Sequence, residues 1–166
     1  MSEPRSAELI IPPNTLKAKL GAGGGGGLDP EAIKRAEKAM DELKGEFSDW
    51  LAKDIDNLNT AFAAFKSQSD GANAEKLFRA AHDLKGQAAT FEFPLIARVA
   101  GSLSKLMDGL KMRQSAPLAL VEAHVDAIHA IHRGQIKDTS NLTALTLAET
   151  LEGRVIHALA RAGQKI

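Results

Sequence analysis

A chain of 166 residues is long enough for one domain with a proper core and some tail. Its 21 lysines and arginines balance 21 aspartates and glutamates, so no broad basic surface advertises nucleic acid or anionic lipid as a partner. The lack of cysteine excludes disulfides, thiolate metal sites and cysteine nucleophiles. No apolar run reaches the length of a membrane span, and Leu9-Ile10-Ile11 is too short for a signal h-region, so a cytoplasmic chain is expected.

Residues 1–28 contain Pro4, Pro12, Pro13 and a glycine run from Gly21 to Gly27, the composition of a flexible tail or linker. A phosphate-cradling loop would end in Gly-Lys-Ser/Thr, whereas this run ends in Leu28-Asp29. Structure is expected to begin at Asp29, a good N-cap, followed by Pro30 at the first helical position and Glu31 near the positive end of the helix dipole. Ile33, Met40, Leu43, Phe47, Trp50, Leu51, Ile55, Leu58, Phe62 and Phe65 keep helical spacing through Gly45, predicting one long helix to about Gln68.

Ser67 to Asn73 is rich in turn-forming residues, and a second helix should start near Asn73. Leu77, Ala81, Leu84, Ala88 and Phe91 form its apolar stripe, and Pro94 stops it. Pro94 can open a third helix with Leu95, Val99, Leu103, Leu106 and Leu110 inward and Gly109 at its fraying end. A fourth opens at Ser115 and Pro117, carries Leu118, Val121, Val125 and Ile128 inward, and stops at Gly134 as a left-handed cap. Leu142, Leu145, Leu151, Val155 and Leu159 suggest a last helix to about Ala162. Long amphipathic helices joined by short loops predict an all-α fold, an antiparallel up-and-down four-helix bundle over 29–134, with 135–166 as linker and C-terminal helix.

At about 100° per residue, the buried stripe of the second helix spans roughly 40° around Leu77, while His82 lies near 140° and faces solvent. Lys85 follows one turn along, Gly86 sits at i+4 and Ala89 at i+7. A glycine in an exposed helix interior costs about 1 kcal/mol relative to alanine, and close approach of another protein is a compensating reason for it. A neutral imidazole nitrogen is a competent nucleophile near neutral pH, so it needs access more than activation. Once the ring carries a phosphoryl dianion, Lys85 can stabilise it, by about 1 kcal/mol at 4 Å in bulk water and about 4 at a protein surface. Arg79, one turn back, can add a longer-range positive field.

The string Ala81-His82-Asp83-Leu84-Lys85-Gly86-Gln87-Ala88 resembles the signature of histidine phosphotransfer (HPt) domains, with lysine at +3 and glycine at +4 from the histidine. The resemblance implies that His82 takes a phosphoryl group through Nε2 from a receiver-domain aspartate and passes it to another receiver, with Lys85 supporting the phosphate and Gly86 clearing space. Gly86, Ala89, Phe78 and Arg79 are the expected partner-binding residues. Many members of the family carry a glycine near the position of Glu92 and a glutamate near Ser104 or Lys105, and neither is present here.

The chain has no nucleotide-binding motif and no receiver pocket of its own, so it is expected to be a phosphotransfer protein without kinase activity. The expected partners are receiver domains of response regulators or hybrid kinases, with no nucleic acid and no membrane. The chain is expected to be a monomer with no intrinsic cofactor, and Mg²⁺ is expected on the receiver. The competing reading is a non-catalytic helical adaptor.

His124, His129 and His132 crowd the fourth helix, but five-residue spacing sets His124 and His129 about 140° apart, so no metal site is expected. A packed or partly buried histidine continuing the Val125-Ile128 stripe is the reading for His132. Phe78 and Phe93 remain as docking anchors, the other aromatic residues as core.

Overall fold

The computed structural model describes residues 29–111 and 113–163. The expected tail, residues 1–28 with its Leu9-Ile10-Ile11 patch, lies outside them. Among the described residues there are five α-helices and one 3₁₀ turn, with no strand: α1 Pro30–Ser67, α2 Gly71–Thr90, α3 Pro94–Gly109, the 3₁₀ turn Arg113–Ser115, α4 Leu118–Arg133 and α5 Leu142–Arg161. The fold is an all-α helical bundle.

Helix starts follow local chemistry. Asp29 Oδ1 accepts the Glu31 amide at 3.1 Å, satisfying a donor that the first turn leaves without an intrahelical partner. Asp70 caps α2 by accepting from the Asn73 amide at 2.7 Å, so that helix starts two residues earlier than its sequence suggests. The side-chain amide of Asn73 donates to the Gln68 carbonyl at 3.0 Å and closes the turn between α1 and α2. Asn141 caps α5 through the Ala144 amide at 3.0 Å.

Packing divides the chain at Asp41/Glu42. The stretch from Asp29 to Asp41 is exposed helix carrying two solvated ion pairs, Lys34 with Glu31 and Arg35 with Asp29. From Glu42 onward a single core forms. Leu51, Ile55, Leu58 and Phe65 of α1 enter it with Leu77 and Leu84 of α2, Leu95, Leu103 and Leu106 of α3, and Val121, Ile128 and Ile131 of α4. Each such aliphatic or aromatic side chain contributes about 1.5–3 kcal/mol by leaving water. The last helix adds Ala148, Leu151, Val155 and Leu159 to the same core and packs on α3 and α4.

Several sequence expectations change. Gly109 ends α3 as expected, but it is packed rather than frayed: a Cβ there would lie 2.7 Å from Leu159 Cδ2, so the glycine lets α5 come close to α3. Leu118, expected inward, is exposed at the start of α4, with Pro117 rather than Ser115 as N-cap. Met40, Leu43 and Trp50 hold helical spacing yet lie exposed. Phe93, read as a docking anchor, is buried and its ring lies 6.0 Å from that of His132.

The left-handed residues are not the expected ones. Gly134 has φ −75°, and the positive φ falls on Gln135 at 49°. Ile136 donates back to the Ile131 carbonyl at 3.1 Å, a Schellman ending, while its side chain covers Gly134, where a Cβ would meet Ile136 Cδ1 at 3.3 Å. The same ending closes α2, where the Phe93 amide donates to the Ala88 carbonyl at 2.9 Å and Glu92 sits at φ 63°. A glycine suits that conformation, since it has no Cβ to clash there. Glu92→Gly is therefore expected to raise the unfolding free energy by about 0.5–1 kcal/mol, the relieved left-handed strain exceeding the entropy glycine adds to the unfolded chain. A urea melt with unchanged slope and a higher midpoint checks this.

Candidate functional site

Mid-helix on α2, His82 is exposed, because the stripe Ala74, Leu77, Ala81, Leu84 and Ala88 takes the opposite face into the core. Its ring packs against Phe78, one turn earlier, with centroids 5.9 Å apart and planes tilted by 35°. Phe78 is itself covered on a face by the Arg113 guanidinium, 3.9 Å from its ring centroid, a cation–π contact. Arg113, from the 3₁₀ turn, is held by ion pairs to Glu75 and, at 3.1 Å, to Asp108. The imidazole is thus seated on an aromatic platform fixed from behind, while its edge stays in solvent.

His82 opens into a groove of about 950 Å³ between α2, α3 and α5. Phe78, His82, Lys85, Gly86 and Ala89, all singled out from sequence, line it together. Arg79 does not: it turns to Glu75, with Nε donating to Oε1 at 2.9 Å, and is a solvated surface pair. Above Gly86 there is open space, since a Cβ built there meets nothing within 4 Å. The far side is supplied by Ser104, noted above only for the glutamate it lacks, and by residues that the sequence reading passed over: Ala97 and Gly101 on α3, and Glu152 and Ile156 on α5. Their signal was present in the four-and-three spacing of small residues at 97, 101 and 104, opposite the leucine stripe of that helix.

Lys85 lies across this surface. The Cβ that Gly101 lacks would come within 3.3 Å of Lys85 Cδ and 3.6 Å of Cε, so the aliphatic stem runs along α3 in the space the glycine leaves. Because the obstructing atoms belong to a flexible side chain, Gly101→Ala is expected to shift Lys85 rather than break α3. Helix propensity then raises stability by up to about 1 kcal/mol, and faster ¹³C relaxation at Lys85 Cε reports its release. A bidentate ion pair ties α3 to α5 across the groove floor, Arg98 Nε and Nη2 meeting Glu152 Oε1 and Oε2 at 3.0 and 2.6 Å. The Glu152 hydrogen bond pushes the Arg98 guanidinium further up from its already high value.

The flank toward α1 has the opposite electrostatic character. Burial and the nearby Asp83 carboxylate raise the Asp54 carboxyl above its ordinary value. Lys53 and a hydrogen bond from Asn57 oppose that rise.

The other histidines are committed separately. His124 is fully buried, and His132 is half-buried, in line with its place on the apolar stripe. Its Nδ1–H donates to the Leu120 carbonyl at 2.7 Å, so Nε2 accepts from the Ser102 hydroxyl at 3.0 Å. Burial lowers its pKa, with the Leu120 bond opposing. His129 donates through Nε2 to Asn59 Oδ1 at 2.5 Å. Burial, then the neighbouring His129, lowers half-buried His132, with Asp56 opposing. Among the described residues no three histidine or carboxylate side chains gather as metal ligands, and no helix is long and apolar enough to cross a membrane.

A bundle that presents a solvent-facing imidazole mid-helix, with a lysine stem and an unobstructed glycine beside it, defines a class of protein that offers a histidine to a macromolecular partner. A family model described as Hpt domain matches residues 42–138, more than half of the chain, and the chain belongs to that family. Hpt domains are phosphotransfer modules of phosphorelays that act with receiver domains. No curated protein and no solved structure matches the chain.

Proposed function

We propose that this chain is a phosphorelay intermediate in which His82 accepts a phosphoryl group from a receiver aspartate and delivers it to the aspartate of another receiver. Nε2 attacks phosphorus as the P–O bond to the aspartyl carboxylate breaks, and the electron pair leaves with that carboxylate. The ring then carries the phosphoryl group on Nε2 and the proton on Nδ1, an imidazolium that is itself a good leaving group for the return step. Mg²⁺, held by the receiver, offsets the charge of the transferring group. Lys85 adds fixed positive charge on the groove side, Gly86 admits the partner backbone, and Phe78 holds the ring. The chain provides no ATP chemistry, so its phosphate comes from the partner, and the relay operates in the cytoplasm.

The observation that carries this reading is the exposed His82 ring at the mouth of an open groove, with free space above Gly86. The test is incubation with isolated receiver domains charged by acetyl phosphate. Acid-labile, alkali-stable label should appear on the chain and map to the peptide containing His82. Receivers that bind without transferring label would establish the adaptor instead.

A further inference from the structure

We infer that α5 is a receiver-docking element: a receiver approaching His82 sits across α2, α3 and α5, and Ile156 together with the Arg98–Glu152 pair selects which receiver fits. This rests on the relay reading above and adds to it a surface that the family match does not include, because the match ends at residue 138 and α5 begins at Leu142.

Three observations carry it. First, the groove beside His82 is continuous with α5, whose Ile156 stays 41 % exposed at its edge while neighbouring Val155 is buried at 1 %. An isoleucine left in water on the groove that a nucleophile shares is apolar area that a partner can cover, at about 25 cal/mol per Å². Second, charge favours this flank over the other. Lys85 and Lys105 line the groove, and neither has an ion-pair partner among the described residues. The flank toward α1 carries Asp54, whose carboxyl is pushed up by burial and then by Asp83, with Lys53 opposing. A phosphorylated aspartate is anionic, so the receiver's reactive end is drawn to the lysine side and repelled from the aspartate side. Third, contacts tie α3 to α5 along the groove. Arg98 and Glu152 clamp α3 to α5, and Gly109 brings Leu159 against α3, so the groove wall is held in place before a partner arrives.

The experiment uses the full chain and a receiver domain, charged with acetyl phosphate, that exchanges label with it. Ile156→Glu places a carboxylate on the groove edge, and kcat/KM for label transfer to His82 is expected to fall at least tenfold, mainly through KM. Leu147→Glu, also exposed on α5 but outside the groove, should leave transfer unchanged. Phosphoramidate, a small donor that needs no docking, should label His82 equally in wild type and in Ile156→Glu, which separates docking from damage to the site.

Unchanged receiver transfer in Ile156→Glu overturns the role of α5 and leaves the relay reading standing. An equal loss in both α5 variants also overturns it, because the effect then belongs to helix stability. If no receiver exchanges label with the wild-type chain, the relay reading falls and the docking element falls with it.

Discussion

His82→Gln is expected to abolish label transfer from a charged receiver, by about 10³-fold or more, the scale of loss when a nucleophile is removed. Glutamine keeps a polar side chain on the Phe78 platform, but its amide nitrogen has no lone pair available for attack on phosphorus. The substitution should be almost silent in stability, within about 0.5 kcal/mol, because the ring is exposed and what it gives up is a tilted packing on Phe78. Receiver affinity should also persist, since docking spreads over a groove far larger than one imidazole. Calorimetric binding with a phosphate-free receiver checks that last point. Label on the glutamine variant would show that some other side chain is the acceptor.

That this histidine could be singled out from sequence, while much of its setting could not, follows from the range of the forces involved. Exposure of His82 and burial of Leu77, Ala81, Leu84 and Ala88 depend on helical periodicity alone, which is local. So does the capping of α1 by Asp29. The role of Gly101 depends on where Lys85 lies after α2 and α3 have packed, and the role of Gly109 on the arrival of Leu159 from far along the chain. Composition marks such glycines as helix weaknesses, and only the tertiary contact reveals them as space. The full burial of His124 was hidden for a similar reason, while His132 is half-buried as its spacing predicts. The apolar stripe of α4 drew attention to His132, but Ser102 offers a hydroxyl to a ring nitrogen of His124, and a histidine with both nitrogens satisfied can be buried whole.

The long α1 shows the converse limit. Met40, Leu43 and Trp50 have the same spacing as Leu51, Ile55 and Leu58, yet only the latter are buried. Periodicity says which residues share a face, and says nothing about how far along the helix its partners extend. Phe47 and Trp50 find a smaller refuge against Phe91, with Phe47 stacked on that ring at 4.9 Å. This aromatic contact fastens the end of the His82 helix to α1, close to the Glu92 turn that starts the next crossing.

His124 gives the second large expected effect, on stability rather than transfer. His124→Ala removes a fully buried ring and leaves the Ser102 hydroxyl without its acceptor, and the two losses together should cost about 3 kcal/mol. The variant should also change the pH dependence. Burial holds the folded-state pKa of His124 below 6.5, whereas in the unfolded chain the ring takes up its proton at the ordinary value. Below pH 6.5 the unfolded state therefore binds more protons than the folded state, and stability falls as the pH drops from 6.5 toward the depressed folded value. Above 6.5 both states are neutral at this site and the contribution is complete. His132, also lowered by burial, acts with the same sign, so the wild-type chain should lose stability on acidification through both rings. Urea melts at about pH 8 and about pH 5.5 should give a smaller difference in midpoint for His124→Ala than for wild type, with the remainder carried largely by His132. An identical difference in the two proteins would mean that His124 is protonated as readily in the fold as in the unfolded chain, which its hydrogen bonds to Leu120 and Ser102 inside a closed core argue against.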